Sequence, residues 1–294
     1  MTDVSKRRDF LKSGAAGLVA GGLLTAAGVG ASTQAALAQS APNSRLRTVL
    51  DRGRLLVGTG STNAPWHFED EDGTLVGMDI TMGRILAKAL FDDPEAIDFV
   101  LQDPAQRIPN ITTGRTDIAI QFMTISGQRA QLVNFSRPYY IEGVALLTRP
   151  DADNKSFDDL LALGSDARIS ILQNVGADQT VHTALPEAQV MQIDTQANVL
   201  QALEARRADA AVVDLSTVRW LVARNPERYF DAGKQWYSML YGAALQQGDP
   251  DWLKFVDTVF AIAMFGHDTA LYDDAFKRFF GLEPPTRVPG FPTV

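Results

Sequence analysis

The 294-residue sequence has no cysteine at all. That absence excludes disulfides, thiolate metal sites, a cysteine nucleophile and a lipid-modified cysteine. Histidine is scarce as well. His67, His182 and His267 lie far apart and lack the spacing of a metal-binding pair, so no metal is expected. No cofactor motif takes their place. Gly58-Thr59-Gly60 opens like a phosphate loop, yet no third glycine follows at the required interval, and its expected role is a turn beneath a ligand loop. Ser126 and Ser136 have no nearby histidine to activate them. Basic charge is in deficit too: 27 Lys and Arg stand against 35 Asp and Glu, a net charge of −8. Such a balance disfavours nucleic acid and anionic lipid as partners.

What is present begins with a leader. Ser5-Lys6-Arg7-Arg8-Asp9-Phe10-Leu11-Lys12 sets a twin arginine ahead of an uncharged stretch from Ser13 to Ser32. Ala36-Leu37-Ala38 then supplies a small-residue cleavage site. This order describes a secretory signal, and the arginine pair resembles the twin-arginine export signal. Residues 1–38 are therefore expected to be removed after Ala38, leaving a periplasmic chain. The glycine and alanine content of the stretch argues against a retained anchor. The leader carries four basic and two acidic residues, so the remaining chain has a net charge of −10.

Beyond the leader, strand-like and helix-like segments alternate. Leu55-Leu56-Val57-Gly58, Phe99-Val100-Leu101 and Asp117-Ile118-Ala119-Ile120 read as strands, with helices over 79–90 and 105–113 between them. A second cycle runs from Arg168 to Asp214. Its strands are 168–172, 190–193 and 210–213, and its helices start at Ala177, at Ala197 and after Asp214. This predicts an α/β fold of two lobes with largely parallel sheets. Strands at 141–147 and 237–245 would cross between the lobes as a hinge. Lobe 1 would comprise 39–142 and 242–294, lobe 2 would be 143–241, and the crossings would fall near 141–146 and 237–242. Helices over 252–264 and 269–280 complete the chain.

Ligands in open α/β sheets sit beyond the carboxyl ends of strands. Three such ends stand out. Trp66 and Phe68 could cover an apolar or cationic ligand group, or could cap the core. Gln121, Phe122 and Thr124 follow a strand, and Arg129 five residues past Thr124 offers a guanidinium fork for a carboxylate. Asp214 could hold an ammonium or could merely cap the next helix. Gly176 opens a helix whose N-terminal N–H groups could be offered to an anion.

These residues resemble the periplasmic amino-acid-binding proteins of ABC importers, the family 3 solute receptors. The resemblance rests on Asp117-Ile118-Ala119-Ile120, Met123-Thr124-Ile125-Ser126, Arg129 and Val133-Asn134-Phe135-Ser136-Arg137-Pro138-Tyr139-Tyr140, and it covers essentially the whole chain after the leader. Gly77-Met78-Asp79-Ile80, Arg207-Ala208-Asp209-Ala210 and Gly242-Ala243-Ala244-Leu245 add to it. It implies a two-lobed, type II periplasmic-binding-protein fold with the ligand between lobes. By resemblance, Arg129 pairs with an α-carboxylate, assisted by Thr124 and the backbone near Gly176. Asp214 and the Phe122 carbonyl take the α-ammonium. Trp66 and Phe68 pack on the ligand side chain, and closure is read by a membrane permease. A monomer is expected.

Three departures bear on specificity. Phe122 stands where the family has Gly or Ser. Pro104 replaces an aromatic found in basic-amino-acid receptors. Val175-Gly176 loses a hydroxyl. Two alternatives remain at this stage: a receptor for a different organic anion or amine, and an enzyme like cyclohexadienyl dehydratase with Glu69, Glu142 or His67 as acid.

Overall fold

The computed structural model describes residues 44–284 and 286–290. The twin-arginine leader and its cleavage site lie outside them. The first half of the described chain runs α1 (Arg45–Arg52), β1 (Leu55–Thr59), β2 (Thr62–Asn63), β3 (His67–Glu69), β4 (Leu75–Val76), α2 (Met78–Phe91), β5 (Ile97–Leu101), α3 (Arg107–Thr112), β6 (Ile118–Ala119), α4 (Gly127–Ala130) and β7 (Asn134–Phe135). Next come β8 (Tyr140–Thr148), α5 (Phe157–Ala162), β9 (Arg168–Leu172), α6 (Ala177–Ala184), β10 (Gln189–Ile193), α7 (Gln196–Glu204), β11 (Ala210–Asp214), α8 (Leu215–Arg224) and β12 (Phe230–Tyr241). The chain then returns through β13 (Ala244–Leu245), α9 (Pro250–Phe265) and α10 (Ala270–Phe280).

Two five-stranded sheets result, ordered β5-β1-β6-β13-β7 and β10-β9-β11-β8-β12, with a small β2-β3-β4 sheet beside them. In the first, β1 is parallel to β5 and β6, and β13 is antiparallel. In the second, β9 is parallel to β10 and β11, and β8 and β12 are antiparallel. The α/β class expected from the alternation is the class observed.

Burial on both faces explains why the central strands read as unbroken apolar runs. Along β11, Ala211 and Val213 enter one core cluster, while Ala210 and Val212 enter another. The same alternation along β8 sends Ala145 and Leu147 one way and Val144 and Leu146 the other. In α2, Ile80, Met82, Ile85 and Leu86 recur at helical spacing and are buried. Gly77 precedes it at φ 131°, and a Cβ there would fall 2.1 Å from the Trp66 carbonyl oxygen. Only glycine fits that approach.

Two elements differ from expectation. The helix expected over 105–113 opens as a 3₁₀ turn over Pro104–Gln106, capped by Asp103, and becomes α-helical only from Arg107. The strand expected over 237–245 is β12, which starts earlier and ends at Tyr241, with β13 separate. Register shifts along β12 and a positive φ of 60° at Tyr237 break the period-2 pattern that would reveal its length.

Candidate functional site

A cavity of about 230 Å³ opens where strands of both large sheets end. Gly60 follows β1, Gln102 follows β5, and Gln121 and Phe122 follow β6; from the second sheet come Leu172 at the end of β9, and Thr195 and Gln196 after β10. Every contributor from these five strands lies at or just beyond a carboxyl end, the position where open α/β sheets bind ligands.

The wall on the first sheet is a closed amide network. Gln102 Nε2 donates to Gln121 Oε1 at 3.1 Å, Gln121 Nε2 donates to the Gln102 carbonyl at 3.0 Å, and Asn110 Nδ2 donates to Gln102 Oε1 at 2.7 Å. Below it, the buried Asp79 accepts the Phe122 N–H at 2.8 Å and the Tyr139 hydroxyl at 2.7 Å, and pairs with His67 Nδ1 at 2.8 Å. That grip holds Phe122 at φ 35°, in the left-handed region that a bulky residue enters only at a cost. The Phe122 ring stacks on His67 with centroids 4.8 Å apart, and the Arg107 guanidinium lies 5.4 Å from its centroid. Phe122 does enter the site: it lines the cavity.

Around the Phe122 ring lies a cluster of buried charges. Arg107 donates to the carbonyls of Pro104 (2.8 Å) and Gln121 (3.0 Å), and burial, with the Arg129 charge adding, pushes its pKa down to about 9. Arg129 donates to the Thr124 carbonyl at 2.9 Å, and burial lowers it as well. Among the described residues, neither guanidinium has a carboxylate within ion-pair distance. Asp214 is the converse. It accepts from the Tyr241 hydroxyl, yet its Oδ2 is shut off from solvent without a partner. Burial and the neighbouring Glu142 push its pKa well above the usual carboxylate range. Although Asp214 stands at the N-cap of α8, its side chain makes no capping bond.

A chain of hydrogen bonds joins the small sheet to the second large sheet. Trp66 Nε1 donates to Ser216 Oγ at 3.0 Å, and Ser216 Oγ donates to Glu142 Oε2 at 2.5 Å. The Gly143 N–H donates to Glu142 Oε1 at 2.9 Å. Burial raises Glu142 to about 7. Trp66 itself is fully buried, among Tyr139, Tyr140, Tyr241 and Phe280, and does not line the cavity. Phe68 packs on Trp220 and Phe279 instead. Of the residues singled out in the sequence, Gln121 and Phe122 line the cavity, and Thr124, Arg129 and Asp214 gather around Tyr241, which bridges to Thr124 through the backbone. Gly176, at φ 85°, is exposed at the start of α6 and outside the cavity wall.

The bacterial extracellular solute-binding proteins, family 3, match residues 55–280. The chain belongs to this family. It is 24% identical over 240 residues to the ABC transporter glutamine-binding protein of Bacillus subtilis, covering 81% of this chain and 85% of that one. It is 30% identical over 229 residues to the L-cystine-binding protein of Escherichia coli K12, covering 74% and 79%. Among solved structures, an ancestral amino-acid-binding protein described as a precursor of cyclohexadienyl dehydratase superposes with a TM-score of 0.71 at 28% identity, covering 81% of this chain and all of that one. The fold is the two-lobed type II periplasmic-binding-protein fold.

Within this family 3 fold, several side chains around the cleft had drawn no notice in the sequence. Arg107 sat in a segment read only as a helix. Ser216 and Tyr241 carry no local signal, because their partners lie far away in the chain, and Asn110 and Gln102, eight residues apart, belong to no motif. Among the described residues no group of three or more His, Cys, Asp or Glu side chains is placed to hold a metal ion. Nor is any described helix long and apolar enough to cross a membrane.

Proposed function

We propose that this chain is an extracytoplasmic receptor that closes on an amino acid and presents it to an ABC permease. The observation that carries the reading is an imbalance of charge in the cleft. Two guanidiniums lack a carboxylate, and one buried carboxylate lacks a cation. An α-carboxylate and an α-ammonium on one ligand would pair one of the guanidiniums and the buried carboxylate at once. In this reading Arg129 holds the carboxylate, with Thr124 and the Gly176 N–H contributing as the second lobe approaches. Asp214 Oδ2 and the Phe122 carbonyl take the ammonium. Trp66 and Phe68 shape the cleft from behind rather than touching the ligand.

The lobes are residues 39–142 with 242–294, and residues 143–241, joined by the crossings near 141–146 and 237–242. The twin-arginine leader exports the chain, cleavage follows Ala38, and the product acts as a monomer in the periplasm. That relatives are named for glutamine and cystine supports an amino-acid ligand.

Calorimetry against the common amino acids tests this directly. At least one is expected to bind, with Arg129→Ala and Asp214→Ala each weakening it by more than about tenfold, in line with loss of a buried charged partner. Unchanged affinity in Asp214→Ala would point to a ligand without an ammonium. One observation favours a catalytic reading: Glu142, at about 7, carries a transferable proton near neutrality. Its oxygens are already engaged by Ser216 and Gly143. Of the other candidate acids, His67 is tied to Asp79 and Glu69 is exposed. Incubation with prephenate or arogenate is therefore expected to yield no product.

A further inference from the structure

We infer that the cavity beside Phe122 is a pocket for a neutral carboxamide side chain, so that the preferred ligand is an amide amino acid; this rests on the receptor reading above. Two buried amides carry the argument. Asn63, in β2, is 2% exposed, and Gln196, the first residue of α7, is 6% exposed. Both line the cavity, one from the small sheet and one from the second large sheet, and each has an amide nitrogen without a partner. A buried amide nitrogen left unpaired is costly, and native structures rarely keep one without a use.

Of the other amides of the wall, Gln106 is exposed, with its Oε1 accepting the Asp103 N–H at 3.2 Å. Gln102, Gln121 and Asn110 are spent on one another. Asn63 differs in being adjustable. Its Oδ1 lies 3.2 Å from Thr217 Oγ1, which is also 3.1 Å from the Ala64 carbonyl. A hydroxyl that donates to Ala64 can accept from Asn63, so Asn63 can turn either its donor or its acceptor toward the cavity. Gln196 asks for an acceptor. A ligand carboxamide offers an acceptor and a donor together, and so answers both residues in either setting.

The alternatives fit worse. No lysine or arginine lines the cavity and its one histidine, His67, is already held by Asp79, so a carboxylate side chain would be buried without a free counter-charge. A cationic side chain would find only Asp103, which is exposed. An apolar side chain would leave both amides unpaired, and sites built around hydrogen bonds reject such analogues strongly. At about 230 Å³ the space is smaller than the roughly 300–1,000 Å³ of drug-sized pockets. It suits one side chain, whose methylenes would lie against Phe122, Pro104 and Leu172.

Calorimetry with glutamine, asparagine, glutamate, lysine and norvaline, on the purified protein and on Gln196→Met and Asn63→Leu, decides the matter. An amide amino acid is expected to bind at least about tenfold tighter than norvaline, glutamate or lysine. Gln196→Met is expected to reduce that preference to within about threefold while norvaline binding survives. Asn63→Leu acts in the same direction, and Gln196→Met, remote from the Thr217 contact, serves as its folded control. Norvaline, glutamate or lysine binding as well as the amides would overturn the inference and leave the receptor reading intact. So would a preference unchanged in Gln196→Met. Binding of no amino acid would overturn both.

Discussion

Asp79 holds three groups that have no other buried partner in view: the Phe122 N–H, the Tyr139 hydroxyl and the His67 ring. Asp79→Ala is expected to destabilise the fold by roughly 3–5 kcal/mol, measured by denaturant titration, because it strands buried donors. Phe122 behaves oppositely. Its φ of 35° is disfavoured for any side chain but not for glycine, so Phe122→Gly relieves backbone strain while opening the cavity beside His67. The expected outcome is a modest net stability change, under about 2 kcal/mol, with larger ligands newly accepted in calorimetry. Glu142 sets a pH dependence. Burial raises it from 4.5 to about 7, so the folded chain keeps a proton that the unfolded chain releases. Its contribution is fully favourable below the unfolded value and is lost as pH rises towards 7. Thermal melts of Glu142→Gln should fall less between pH 4.5 and 7 than those of the unaltered chain, and an identical slope would contradict the assignment.

At the scale of elements, the link from Trp66 through Ser216 to Glu142 ties the loop before β3 to α8 and to β8. Trp66→Phe keeps the aromatic packing and removes one hydrogen bond across the cleft. It is expected to weaken ligand binding several-fold, on the order of 1 kcal/mol, with little change in melting temperature. This scale also shows what the sequence could reveal. β9, β11 and α2 were legible because a strand buried on both faces reads as a run, as Ala210–Val213 does, and a buried helix face reads at 3.6 spacing. β12 was not, since its register shifts and the positive φ at Tyr237 scramble any period. The strand-end rule singled out Gln121, Phe122, Arg129 and Asp214, of which Gln121 and Phe122 line the cavity. Arg107, at the start of α3, escaped it; Ser216 and Gln196 do lie just beyond the ends of β11 and β10, but no local motif marked them, because each gains meaning only from residues that the fold brings from far away. For Trp66 the sequence left ligand cover and core cap both open, and the indole is enclosed by Tyr140, Tyr241 and Phe280.

In the whole molecule, two sheets bring their strand ends to one cavity, in a cleft whose charges do not balance internally. Proton linkage follows. An ammonium beside Asp214 favours its ionised form, which burial, Glu142 and Asp79 oppose and Arg107 assists. Binding should therefore release protons and tighten as pH rises, which calorimetry in buffers of different ionisation enthalpy measures. The most direct test of the central claim compares one bound amino acid with its decarboxylated amine and its deaminated acid in the same titration. Binding of the zwitterion, with both analogues weaker by at least about a hundredfold, is the predicted result. Equal binding of either analogue would contradict the assignment of Arg129 and Asp214 to the two charges of an amino acid.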